Sequence, residues 1–233
     1  MKMGLFFDRY IFMDNHQYIE IIKKKVKRFT LRVSIKDNKI LCTVPLRASN
    51  KDIVAFIGHH QSWIEKQQSK VAELRALHVE EKPGTLLFMG DLYVVHFDTN
   101  AGFKGIIDKV DKIIMSTINL ESPEQKKQWY KEQAQDIIPP IVKKYAERYN
   151  FSYGNIAIKS QKSKWGSCSS KGNLNFNTKI MRAPEYALHY LIIHELVHTK
   201  YFHHGAEFWQ EIEHCYPEWK KAELYLKREG RLL

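Results

Sequence analysis

The chain has 233 residues, 44% of them apolar and 27% charged, enough for one large domain or two small ones with buried cores. It holds no run of about 18 apolar residues, which argues against a helical membrane span. Three scattered cysteines argue against a disulfide framework and favour a cytoplasmic setting, and the net charge of +11 favours acidic partners such as nucleotides or nucleic acid.

The opening stretch, MKMGLFFDRYIFMDNH, carries Asp8 and Arg9 inside its apolar run and lacks a small-residue cleavage site. It reads as an edge strand or arm rather than a signal peptide. Phe29, Leu31, Val33 and Ile35 then alternate with Arg28, Thr30, Arg32 and Ser34, the period of a strand with one buried face. Asp37-Asn38 supplies a turn and KILCTVPL returns, which predicts a hairpin. Its polar face, with Arg28 and Arg32 after the run Lys23-Lys24-Lys25, reads as a solvated sheet face in preference to a binding patch.

Ser49 and Asp52 form a capping-box pattern with Asp in place of Glu or Gln. Ile53, Ile57, His60, Ile64, Gln67, Val71 and Leu74 follow at helical spacing, which predicts one long helix. His59 and His60 are adjacent, so they point in different directions and read as structural. Short strands follow, broken by Gly84, Gly90 and Asp91. A second helix starts with Ser122 as N-cap, Pro123 at its first position and Gln125 closing a capping box. It runs toward Tyr149, and Pro139-Pro140 should kink or divide it. The expected boundary lies near residue 120, with a β-rich region and one long helix in 1–120 and a helix-rich region in 121–233.

YGNIAIKSQKSKWGSCSSKGNLNFN reads as strand, Ser/Gly-rich turn, strand, and APEYALHYLIIHELVH as a buried helix with Pro184 and Glu185 in its first turn. Burial makes His194, Glu195 and His198 conspicuous, because unpaired polar groups inside an apolar environment cost free energy. His194 and His198 are one turn apart on one face, a spacing that lets two imidazoles reach one Zn²⁺ at about 2.0–2.1 Å. Glu195 sits about 100° around the helix, where it can take a proton from water activated by the metal. A catalytic zinc takes a third protein ligand. Spacing favours His204, beside Gly205, which would permit the chain reversal; His203, Glu211 and Glu213 compete. Tyr201 lacks the glycine of one large zincin class, and no Met-turn follows. Beyond the site, two short helices separated at Pro217 complete the chain.

KSKWGSCSSKGNLNFN, then an apolar helix with HELVH, then HHGAEFW, together resemble the YgjP-like metallopeptidase family, whose WLM and SprT-type relatives share the zincin arrangement. The resemblance extends over the chain from about residue 20, including the hairpin and the helix with Trp63-Ile64-Glu65. Phe208-Trp209 matches the family's Phe-Trp pair, which implies that His204 is the third ligand. His203 replaces the more usual Asn, and Tyr201 stands where another His is common. The implied fold is α+β: a β-rich N-terminal region, then a zincin-like domain with a small antiparallel sheet beside the active helix. Trp165, Gly166 and Ser167 are candidates for a strand edge that pairs with a peptide substrate, with Trp165 as core the competing reading. Tyr201 and Lys164 are candidates for stabilising the transition state; Cys168 has no evident base and reads as a small buried residue.

The function implied is a zinc peptidase with one metal ion per chain, although nickel or another divalent ion suits imidazole ligands in vitro. A phosphoanhydride hydrolase acting on nucleotides ranks lower, for want of a Gly-rich phosphate loop or an acidic Mg²⁺ cluster. A third reading, by analogy with the SprT-type relatives, is a peptidase acting on proteins held at DNA. It would unite the metal site with the positive charge.

Overall fold

Period-two patterning governs the first 45 residues. In the computed structural model, which describes residues 6–7, 10–13, 17–35, 38–76, 79–99, 105–161, 164–228 and 230, they form β1 (Phe6–Phe7), β2 (Tyr10–Met13), β3 (Gln17–Lys24), β4 (Thr30–Val33) and β5 (Ile40–Pro45). The sheet order is β1-β2-β3-β5-β4, so the N-terminal stretch does supply an edge. β4 and β5 make the expected hairpin, Thr30 opposite Thr43 and Val33 opposite Ile40. Asn38 turns with a left-handed φ of 55°, while Asp37, the other turn residue, lies outside the described residues. β5 also pairs in parallel with β3.

The predicted long helix is two: α1 (Asn50–His59) and α2 (Gln61–Ala76). Ser49 caps the first, its Oγ accepting from the Asp52 N–H at 3.2 Å. The break falls where His59 and His60 turn their Nδ1 atoms to the carbonyls of Ala55 and Phe56. There the His60 N–H tightens onto Ile57 O at 3.0 Å, one residue short of the α-helical partner, beside the weak helix former Gly58. The apolar stripe survives the break. Ile53, Ile57 and Ile64 share a core with Ile19, Ile21, Ile40, Cys42 and Val44, all within one compact unit, Met1–His78.

The second unit, Val79–Arg231, begins with a four-stranded sheet of β6 (Thr85–Phe88), β7 (Asp91–Phe97), β8 (Ile106–Asp108) and β9 (Ile113–Ser116) in the order β6-β7-β9-β8. Met89 and Gly90 join β6 to β7 with φ of 51° and 86°, the two positive values of a type I′ hairpin. A Cβ on Gly90 would lie 2.8 Å from Pro184 Cα, and the Met89 N–H donates to Met181 O at 2.8 Å. The hairpin tip is thereby fastened to the chain that enters the His-bearing helix. This sheet belongs with the helices that follow it, so the division falls near residue 78 rather than near residue 120.

Ser122 caps α3 (Pro123–Tyr149). Pro139 and Pro140 do not divide it. Gln133, Ala134, Ile138, Val142 and Ala146 are buried on both sides of the prolines, and that packing outweighs the missing backbone bonds. Next come β10 (Ile156–Lys159), β11 (Gly166–Cys168) and β12 (Leu174–Asn177). β12 lies between the other two, parallel to β10 and antiparallel to β11. The small sheet is therefore mixed, not antiparallel as expected. A 3-10 segment, Thr178–Arg182, leads into α4 (Glu185–Val197), α5 (Ala206–Cys215) and α6 (Trp219–Lys227), the last two separated at Pro217 as predicted. One core joins Phe88, Trp129, Ile138, Phe176, Leu188, Ile192 and Phe208. The fold is α+β.

Candidate metal centre

α4 is apolar nearly all round, so burying it places its few polar side chains inside the protein. His194 and His198 leave one face a turn apart. After His198 the chain winds back through the Tyr201 N–H, which donates to Val197 O at 2.9 Å, and returns His204 toward the helix. Gly205 does not explain that reversal by conformational freedom. Its φ of −77° is open to any residue, and a Cβ there would meet nothing within 4 Å.

His194, His198 and His204 each offer a nitrogen, and the three atoms lie within 4.8 Å of one another. The Nε2 atoms of His194 and His204 are 3.2 Å apart, close to the ~3.3 Å between two nitrogens held tetrahedrally by zinc. His198 Nδ1 is 3.0 Å from Tyr201 O, to which it donates. Tyr190 Oη stands 3.2 Å from His194 Nδ1. Each contact occupies Nδ1 and leaves Nε2 to face the metal position. Phe208, fully buried, floors the triad with its ring centroid 5.0 Å from His194 and 4.6 Å from both His198 and His204.

Burial, helped by the neighbouring charges of His198, His204 and Lys227, pulls the His194 pKa down to about 3. Burial likewise lowers that of His198, opposed by its bond to Tyr201. Neutral imidazole is the form that binds a metal. Glu195 is 4% exposed and is the one buried carboxylate among the described residues. Desolvation pushes its pKa up to about 8 against the opposing charge of Lys164. Its Oε2 has no hydrogen-bond partner among the described residues. Three clustered imidazole nitrogens, with an orphaned buried carboxylate oxygen on the residue next to His194, fit a divalent metal and an activated water.

The structure separates the remaining histidines and acids from this cluster. His203 is exposed and gives its carbonyl to the Gly205 N–H at 2.8 Å. Glu211 pairs with Lys200 at 3.3 Å, and Glu213 accepts from Trp219 Nε1. His189 lies between Tyr145 Oη at 3.0 Å and Glu185 at 3.6 Å. None of the four is in the three-histidine group.

The Trp165 segment sits against Glu195. A Cβ on Gly166 would fall 2.5 Å from Glu195 Oε1, so the close approach of strand and carboxylate requires glycine there. β11 is an outer strand, paired with β12 on one side. Ser167 Oγ accepts from Asn175 Nδ2 at 3.3 Å. Trp165 donates from Nε1 to Leu226 O at 3.3 Å and packs on the second unit's core. Tyr201 meets the site through its carbonyl. Sequence reasoning missed Tyr190, although its place four residues before His194 puts it on the same helix face.

The sequence model of the YgjP-like metallopeptidase domain matches residues 28–229. Among solved structures, the metallopeptidase zymogen of Methanocaldococcus jannaschii jannalysin is 32% identical over 39% of this chain and 93% of its own, with a TM-score of 0.35. The zymogen of Pyrococcus abyssi abylysin is 21% identical over 39% of this chain and 94% of its own, with a TM-score of 0.36. No curated protein matches the chain.

Proposed function

The chain belongs to the YgjP-like metallopeptidase family, and from that premise we propose that it is a zinc peptidase with His194, His198 and His204 as ligands and Glu195 as general base. The family makes it a metal-dependent hydrolase of peptide bonds. Three imidazoles suit zinc, and the same donors accept nickel or another divalent ion in vitro. When bound, zinc supplies a Lewis acid that makes water nucleophilic near neutral pH and polarises the scissile carbonyl.

The chain's own residues do the rest. Held as the carboxylate against its burial by a bound dication, Glu195 would accept the proton of the attacking water and return it to the departing amine. Gly166 lets that carboxylate approach β11, whose free edge aligns an extended peptide through main-chain hydrogen bonds. Ser167 and Trp165 brace the strand, through Asn175 and Leu226 respectively. Tyr201 holds His198 by its carbonyl. The free thiols of Cys42, Cys168 and Cys215 accord with a reducing, cytoplasmic setting. Among the described residues no helix is long and apolar enough to cross a membrane.

The observation that carries this reading is the buried, unpartnered Glu195 Oε2 beside three clustered imidazoles. Purified protein of known metal content is offered unfolded proteins and a panel of nucleotides. Glu195→Gln is expected to keep its metal and lose on the order of 10²–10⁴-fold in peptide hydrolysis, while His204→Ala loses zinc affinity. Full activity in Glu195→Gln, or undiminished zinc binding in His204→Ala, refutes the corresponding role. Phosphate release from nucleotides without peptide cleavage would favour the phosphoanhydride reading instead.

A further inference from the structure

The positive charge of this protein is not spread evenly. Residues 1–78 hold 15 Lys and Arg against 7 Asp and Glu, a net +8 of the chain's +11. They coincide with the first compact unit, which contributes no member to the three-histidine group. The proposed site and the charge therefore lie mostly in different units.

Topology gathers the cations at one end of the first sheet. β3 ends at Lys24 beside Pro45 of the parallel β5. β4 starts on the far side of β5, with Thr30 opposite Thr43. The connection from Lys25 to Phe29 must therefore pass the end of β5. There Leu46-Arg47 leaves toward α1. Lys23, Lys24, Lys25, Lys27 and Arg28 are thus collected with Arg47 and Lys51, and all seven are exposed. Among the described residues none of the seven is paired with an acid. The nearest acid in sequence, Asp52, accepts from Ser49 Oγ at 2.6 Å.

We propose that this end of the first sheet binds the phosphate backbone of nucleic acid without regard to sequence. Unpaired Lys and Arg release condensed counterions on meeting a dense polyanion, which is the main source of such binding. The cations also turn a corner: Arg32 and Thr30 are exposed on β4, opposite the half-buried Leu31 and Val33, and continue the row from Lys24 onto a sheet face that also carries Glu20. A polymer follows a bent track, whereas a flat lipid surface meets one side of it. The exposed Val26 and Leu46 within the cluster are two isolated apolar side chains, too few for an inserted face.

Fluorescence anisotropy of a labelled duplex of arbitrary sequence, about 20 base pairs long and titrated between 50 and 200 mM salt, tests this. Lys24→Glu/Lys25→Glu/Lys27→Glu is compared with Lys127→Glu/Lys131→Glu/Lys144→Glu, a control that makes the same charge change on exposed positions of α3. The first variant is expected to bind at least about 10-fold more weakly, with a log–log salt slope shallower by about 3. The control should stay within about 3-fold of the parent chain. Circular dichroism and thermal melting verify that both variants fold. Equal losses in the two variants would reduce the effect to net charge and overturn the proposal. So would an absence of binding by the parent chain at the lowest salt, or binding to phosphatidylserine vesicles but not to the duplex. Binding is read on metal-free protein, so this result is independent of whether Glu195 is the base.

Discussion

Glu195 costs the folded protein stability in exchange for reactivity. Burial raises its carboxyl from an ordinary 4.5 to about 8, so folding favours the protonated form. The sign follows from linkage: the group's stabilising contribution is complete below about 4.5 and is lost as pH rises through about 8. Metal-free Glu195→Gln cannot ionise and escapes that loss. Its melting temperature should exceed that of the metal-free parent by a margin that grows across this pH window and levels off above it. Scanning calorimetry in chelator checks this, and a margin independent of pH would contradict the burial of an ionising group. Gly166 is the neighbour that permits the arrangement. Gly166→Ala puts a methyl 2.5 Å from Glu195 Oε1, so the carboxylate must move by a substantial fraction of an ångström. Peptide hydrolysis should fall on the order of 10²-fold with zinc affinity, measured by competition titration, unchanged.

At the scale of elements, a single carboxylate ties three of them together. Glu81, just before β6, accepts from the Leu87 N–H at 3.0 Å and from Tyr130 Oη on α3 at 3.2 Å. It pairs with Lys126 at 3.1 Å and with Arg182 of the 3-10 segment at 3.5 Å. Burial pushes its carboxyl up, but the Leu87 bond and the Arg182 and Lys126 charges together hold it below the ordinary 4.5. The stability it confers is therefore present above that value and lost as pH falls through its lowered pKa. Glu81→Gln should cost about 1–3 kcal/mol at neutral pH and progressively less in acid, read from urea midpoints at the two extremes. No such knot is legible in sequence, since Glu81 and Arg182 are 101 positions apart. What was legible is local: the Ser49 and Ser122 caps, the β4–β5 hairpin, and two histidines one turn apart on an apolar helix. Long-range pairing was not, which is why the β6–β9 sheet read as part of the N-terminal region. Nor could an unbroken apolar stripe reveal the break at His60, because Ile57 and Ile64 remain in register across it. The approach of Gly166 to Glu195 was equally hidden, for it depends on how strand and helix pack.

For the whole molecule, two separate cores predict two responses to metal. The three imidazoles rest on Phe208, which shares a core with residues of α3, β12 and α6. Ile19, Ile21, Ile40, Cys42 and Val44, with Ile53, Ile57 and Ile64, form a distinct core in the first unit. A ligand stabilises what it binds by mass action, about 4 kcal/mol at a thousandfold excess over its dissociation constant. That energy reaches the amides whose opening would disrupt the site. Zinc added to metal-free protein should therefore slow hydrogen exchange in α4, α5 and β12 by up to about 10³-fold. Amides of β3 and β5 should exchange at their former rate. Hydrogen exchange with mass-spectrometric readout resolves the two sets. Equal slowing in both would mean that the chain unfolds as one cooperative body, and the division near residue 78 would then be architectural without being energetic.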